Sequence, residues 1–154
     1  MILKTVTLQE ANGLLPLVKE HFFRINIMIT HLQELRDSLR KKPRKRFVFD
    51  NASENILIIK KRRRSKKIRA KSKEIRRLED HIKKELNDLI KIGAIIRNLA
   101  PPHIDFLSQR NHEHICLCWH GGENEVNHWH QLENDSICRQ NIEEKCGFGP
   151  NMVH

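Results

Sequence analysis

The chain has 154 residues, of which 31% are charged and 5% aromatic, and its net charge is +10. That length suits one domain, and no run of 18 apolar residues offers a membrane span. The opening Met1-Ile-Leu-Lys-Thr-Val lacks the basic start and long apolar run of a secretory signal, so a cytoplasmic chain with free thiols is expected.

The charge is unevenly spread. Residues 1–100 carry 26 Lys/Arg against 11 Asp/Glu, whereas residues 101–154 carry 3 against 8. Arg40–Lys73 alone holds 16 basic and 2 acidic residues. Such a block attracts polyanions and acidic surfaces. Arg44, Lys45, Arg46, Lys60, Lys61, Arg62, Arg63, Arg64, Lys66, Lys67 and Arg69 are the candidates for non-specific nucleic-acid or anion contact. No zinc-finger spacing, basic zipper or stacking signature accompanies them, and a solvated face is the plainer reading.

In chain order, Thr7-Leu-Gln-Glu10 fits a capping box. Asn12-Gly13 is expected to end a short helical turn, and Pro16 to start a second helix. Val18, Phe22, Ile25, Ile29 and Leu32, extended by Leu35 and Leu39, form one apolar stripe to about Arg40. Phe47-Val-Phe49 and Ile56-Leu-Ile-Ile59 read either as two strands and a turn or as a loop and an early helix. From Ile68 a second helix carries Ile75, Leu78, Ile82, Leu86 and Leu89, and stops at Gly93. The two stripes are expected to bury one another as an antiparallel hairpin with coiled-coil-like packing.

Beyond Gly93 the period changes. Ala94-Ile-Ile96 reads as a short strand, and Pro101-Pro102 prevents a helix. Ile104-Asp-Phe106 is a compact apolar unit, and His114–Trp119 is the clearest strand. Gly121-Gly122 marks a turn, with Glu125–His130 returning. The expected fold is mostly α (α+β): a long antiparallel helical hairpin over 7–93 and a small C-terminal antiparallel strand unit over 94–139, forming one domain over 1–139. Residues 140–154 read as a mobile tail.

All four cysteines and seven of the ten histidines lie after residue 100. On strands, Cys116 and Cys118 share one face, and so do His128 and His130. If those strands pair, two thiols face two imidazoles, a set suited to zinc, with Glu123 or Asp105 nearby. Cys-x-Cys is not the usual spacing of structural zinc loops, and buried Cys often serves as small apolar filler. A catalytic reading makes His130 a general base, Glu123 or Asp105 its orienter, and Cys118 a nucleophile. No phosphate-cradling loop or hydrolase elbow supports it, and an enzyme is not the favoured reading. Trp119 and Trp129 are expected to cover a small core, with Trp119 and His130 close together. Cys138 and Cys146 are the two further thiols that the tail could bring to the histidines.

The segment Thr7-Leu-Gln-Glu-Ala-Asn-Gly-Leu-Leu-Pro16, together with Ile104-Asp-Phe106, Leu117-Cys-Trp119, Gly122-Glu123 and Trp129-His130, resembles an uncharacterised bacterial family catalogued as domain of unknown function 2203. The resemblance covers roughly residues 5–139. It implies a long-helix protein with a short strand-containing end. The family elements fall on Gly93, Asp105, Phe106, Cys118, Trp119, Gly122, Glu123, Trp129 and His130, with Arg139 in the place of a late arginine. Asp135-Ser-Ile-Cys138 stands where the family has a glycine-rich stretch. No activity comes with the resemblance. The role expected is scaffolding or protein interaction, by self-association or with another protein.

Overall fold

The structure is a computed structural model that describes residues 4–40, 54–133 and 139–142, without the side chains of 54–64. Two helices precede five strands: α1 (Leu8–Arg40), α2 (Glu54–Lys91), β1 (Ala94–Leu99), β2 (Pro102–Arg110), β3 (Glu113–His120), β4 (His128–Gln131) and β5 (Gln140–Asn141). The strands form one antiparallel sheet in the order β1-β2-β3-β4-β5. The expectation of a mostly α chain with a small appended strand unit is therefore corrected. The fold is α+β, and a five-stranded sheet carries much of its core.

The chain divides into two compact units. One comprises residues 1–26 and 84–154, and the other comprises 27–83. Among the described residues, no helix is long and apolar enough to cross a membrane.

In the first unit, the capping box forms. The Thr7 N–H donates to Glu10 Oε2 at 2.7 Å, and the Glu10 N–H donates to Thr7 Oγ1 at 3.1 Å. The break expected between Gly13 and Pro16 does not occur, since Pro16 lies inside α1. A proline there removes one backbone donor and crowds the carbonyl four residues back. The buried row Leu8, Ala11, Leu15, Val18, Phe22 and Ile25 runs straight across the site. Its burial outweighs the local penalty and keeps one helix.

That row packs over one face of the sheet. Phe22 meets Trp119 with ring centroids 6.5 Å apart, and the Val126 N–H donates to Asn12 Oδ1 at 2.7 Å. Val6 adds a short tie, its N–H donating to the Leu107 carbonyl at 2.9 Å. α2 ends in this unit, where Gly93 adopts a φ of 95°, a left-handed turn that favours glycine.

The strands differ from the sequence expectation in several places. β2 was read only as a compact apolar unit at Ile104–Phe106, and it is in fact a nine-residue strand. It is buried on both faces, so it lacks the simple apolar–polar alternation of a half-exposed strand. It turns into β3 through Asn111-His112, both with positive φ, without the glycine that usually signals such a turn. The returning strand starts at His128 rather than Glu125, and Gln140–Asn141, assigned to the tail, forms β5 against β4.

The second unit contains Ile27–Arg40 of α1 and Glu54–Lys83 of α2, which meet through side chains at 31–38 and 71–79. Ile56–Ile59 is helical, and Phe47–Phe49 lies outside the described residues. Arg36 bonds Glu79 at 2.8 Å, Lys71 bonds Ser38 at 2.6 Å, and His31 stands 3.5 Å from Glu74. The apolar positions are thinly covered. Leu32 is buried, Ile75, Leu78 and Ile82 are half-buried, and Ile27, Leu39 and Ile68 are exposed.

Truncating Phe22 to Ala removes a fully buried ring beside Trp119. It should destabilise the chain by about 3–5 kcal/mol and redden its tryptophan fluorescence, as read in denaturant melts. Glu85 provides a pH test. Burial pushes its carboxyl up, but bonds from Arg24 and His21 outweigh that and hold it below the ordinary carboxylate value. Its contribution is therefore complete above that ordinary value and is lost as pH falls through the depressed one. Glu85→Gln should melt earlier than the parent at neutral pH, and the gap should close in acid.

Candidate functional site

The β2–β3 ladder has two contrasting faces. Towards α1 it presents the opposed pairs Ile104–Trp119, Phe106–Leu117 and Ser108–Ile115. The other face presents His103–His120, Asp105–Cys118 and Leu107–Cys116. β4 extends this second face, setting His130 opposite Cys116 and His128 opposite Cys118. Strand alternation makes this sorting automatic, since side chains two apart share a face. Trp119 and His130, expected together, stand on neighbouring elements but on opposite faces.

Asp105 sits at the centre of the polar face with no solvent exposure. Its Oδ2 accepts from Arg97 Nε at 2.6 Å and lies 3.2 Å from His130 Nε2. The other ring nitrogen of His130, Nδ1, faces the Gln131 carbonyl at 2.9 Å. Asp105 Oδ1 is buried without a hydrogen-bond partner. His103 Nε2 stands 3.4 Å from that oxygen and 3.2 Å from Cys118 Sγ. The His103 and His120 rings meet edge to face, with centroids 4.1 Å apart.

The surroundings govern protonation. Burial, reinforced by the charge of Asp105, pushes the Cys118 thiol up to about 12. Cys116 moves the same way, through burial first and then Asp105. A thiol held so firmly protonated is a poor nucleophile, which counts against the catalytic reading of Cys118. Burial lowers both His103 and His120, aided at His120 by the cation of Arg139, so both rings are neutral at neutral pH.

The β3–β4 connection is built around Glu123. Its Oε2 accepts from the His120 N–H at 2.8 Å, and both its oxygens accept from Arg139 Nη2, at 2.8 and 2.9 Å. Burial raises the Glu123 carboxyl, but these bonds together hold it below its ordinary value. The Trp119 indole N–H donates to the Glu123 carbonyl at 2.9 Å, and Lys19 Nζ lies 5.7 Å from the Trp119 ring centre. Gly121 is confined by Pro102, whose Cδ would lie 2.8 Å from an added Cβ, and Gly122 has a φ of 103°. Trp129 stacks under the Arg110 guanidinium at 4.9 Å, and Phe106 is fully buried on the α1 side.

The four residues proposed as metal ligands do not converge. Cys116 joins Asp105 and His130 in one group, and Cys118 joins His103 and His120 in another. His128 turns towards Glu123, its Nδ1 lying 3.6 Å from Oε1. Of the candidates for chemistry, Asp105 stands opposite Cys118 on the ladder and beside His130, while Glu123 belongs to the adjoining turn. His103, His120 and Arg97 went unread, although His103-x-Asp105 and Cys118-x-His120 repeat one alternation on two strands. The basic candidates Arg44, Lys45 and Arg46 lie outside the described residues, as do Cys138 and Cys146. Lys60, Lys61, Arg62, Arg63 and Arg64 are on α2 with side chains not described, and Lys66, Lys67 and Arg69 are exposed.

The Arg139–Glu123 pair is largely buried, at 16% and 27% side-chain exposure. Arg139→Met should cost about 1–3 kcal/mol in urea melts, since it strips a half-buried carboxylate of charged donors. Adding Glu123→Gln should cost less than the sum of the two single changes.

A sequence model of one protein family, DUF2203, described as an uncharacterised conserved protein, matches residues 4–142. No curated protein and no solved structure matches the chain.

Proposed function

The chain belongs to that uncharacterised family, and we propose that it is a protein-interaction module whose basic helical unit docks onto an acidic, partly apolar protein surface. The observation that carries this reading is the composition of residues 27–83. They hold 20 Lys/Arg and 7 Asp/Glu, a net +13, while the remaining residues sum to −3. Ile27, Leu39 and Ile68 are exposed on the same unit, amid exposed Lys66, Lys67 and Arg69. A pair of helices that leaves its aliphatic positions half covered gains by burying them against a third surface. The charge selects which surface, because a second copy of this unit would bring +13 against +13, whereas an acidic partner is attracted. The exposed aliphatic residues favour protein over nucleic acid, which would add phosphate contacts and leave them wet.

Fluorescence anisotropy of the full chain with a labelled acidic amphipathic peptide of Glu, Leu and Ala tests the reading. Binding should weaken with salt, and by at least about tenfold when Lys66, Lys67 and Arg69 are all replaced by Glu. Tighter binding to duplex DNA or single-stranded RNA of similar length, or indifference to the charge reversal, would sink it.

A further inference from the structure

We infer that the polar face of the sheet holds a structural zinc-type ion between β2 and β3, with Asp105, His103 and Cys118 as its primary ligands and His120 as the fourth. This centre is independent of the docking role proposed for the helical unit. The four residues form two adjacent cross-strand pairs on one face, His103 opposite His120 and Asp105 opposite Cys118. Cross-strand neighbours stand about 5 Å apart at Cβ, and residues two apart along a strand about 7 Å. Four side chains at the corners of such a rectangle can close on one point above it.

Two edges of the set lie close to those of such a point. With metal–ligand bonds of about 2.0–2.3 Å, the edges of a tetrahedral zinc site are roughly 3.3–3.7 Å. His103 Nε2 lies 3.2 Å from Cys118 Sγ and 3.4 Å from Asp105 Oδ1. The ligand atoms of His103, Cys118 and His120 all lie within 4.8 Å of one another. A second, independent observation points to a cation. Asp105 Oδ1 has no hydrogen-bond partner although the side chain is completely buried. A carboxylate oxygen left without a donor at full burial is costly, and a metal ion would satisfy it. Mixed N, S and O donors in a four-coordinate arrangement select zinc, or cobalt as its spectroscopic substitute, over magnesium or calcium. On binding, Cys118 gives its thiol proton to solvent and ligates as the thiolate.

The neighbouring group of Asp105, Cys116 and His130 is already served by a cation. Arg97 Nε occupies Asp105 Oδ2 at 2.6 Å, so an added ion there would face the guanidinium. His120 is the weakest of the four ligands. Arg139 Nη1 stands 3.2 Å from its Nδ1 and stabilises the lone pair there, so the metal-free ring carries its proton on Nε2 and must shift it to bind.

The test is zinc content and cobalt(II) absorption of the full chain purified under reduction and loaded with either ion, with folding followed by circular dichroism. Stoichiometric zinc and a thiolate-to-cobalt charge-transfer band are expected. Cys118→Ser should abolish that band, and Cys118→Ser and His103→Gln should each weaken zinc binding by at least about 100-fold. His120→Ala should weaken it less, and Cys116→Ser should retain both metal and band. A folded parent that takes up neither ion overturns the proposal. So does a cobalt spectrum unchanged in Cys118→Ser, or a Cys116→Ser chain that loses metal as completely as Cys118→Ser.

Discussion

Both faces of the β2–β3 ladder are shut away from water, and one of them carries a carboxylate. On the α1 side, Ile104, Phe106, Leu117 and Trp119 meet the row that includes Phe22, and burial alone accounts for their order. On the opposite side, Asp105 is buried among imidazoles and thiols, where an unpaired charge would cost several kcal/mol. Arg97 and His130 reach its Oδ2 from the two strands flanking the ladder. The two faces are therefore linked. A one-residue slip of β2 would drive Asp105 into the Phe22 side and bring Phe106 among the polar groups, so each face enforces the register of the other.

The same alternation orders the electrostatics. Burial, reinforced by Asp105, raises both cysteine thiols, and Asp105 draws His103, while Arg139 and Glu123 hold the end of β3 from the neighbouring connection. The result is two protonated thiols and the neutral rings of His103 and His120 beside a buried carboxylate that Arg97 holds. That environment opposes nucleophilic chemistry at Cys118 and suits a closed coordination role. The helical unit has the opposite character. Its positive charge is abundant, its described Lys and Arg side chains are largely exposed, and its described aliphatic residues are only partly covered, as befits a surface that another molecule completes.

Particular residues show how far the chain could be read in advance. The Thr7–Glu10 box, the Val18-Phe22-Ile25 row and the His114–Trp119 strand were legible because their signals are local, set by hydrogen bonds three residues apart or by periodicity. Pro16 misled for the same reason. Its local preference is to begin a helix, and only the buried row on both sides of it keeps α1 continuous. β2 was hidden because burial on two faces erases the alternation that marks a strand, and because Asn111-His112 makes a tight turn without glycine.

The sequence by itself determined the two long helices, the separation of basic from thiol- and imidazole-bearing residues, and the faces that Cys116, Cys118, His128 and His130 would take on their strands. The period of a strand dictates face, and no partner is needed to read it. Which faces adjoin was decided only by the tertiary structure. Strand order placed β2 beside β3, and so gave Cys118 to His103 and Asp105, and Cys116 to His130. Spacing along one chain carries no information about the neighbour across the ladder; that neighbour is chosen by the burial of Ile104, Phe106 and Trp119 against α1.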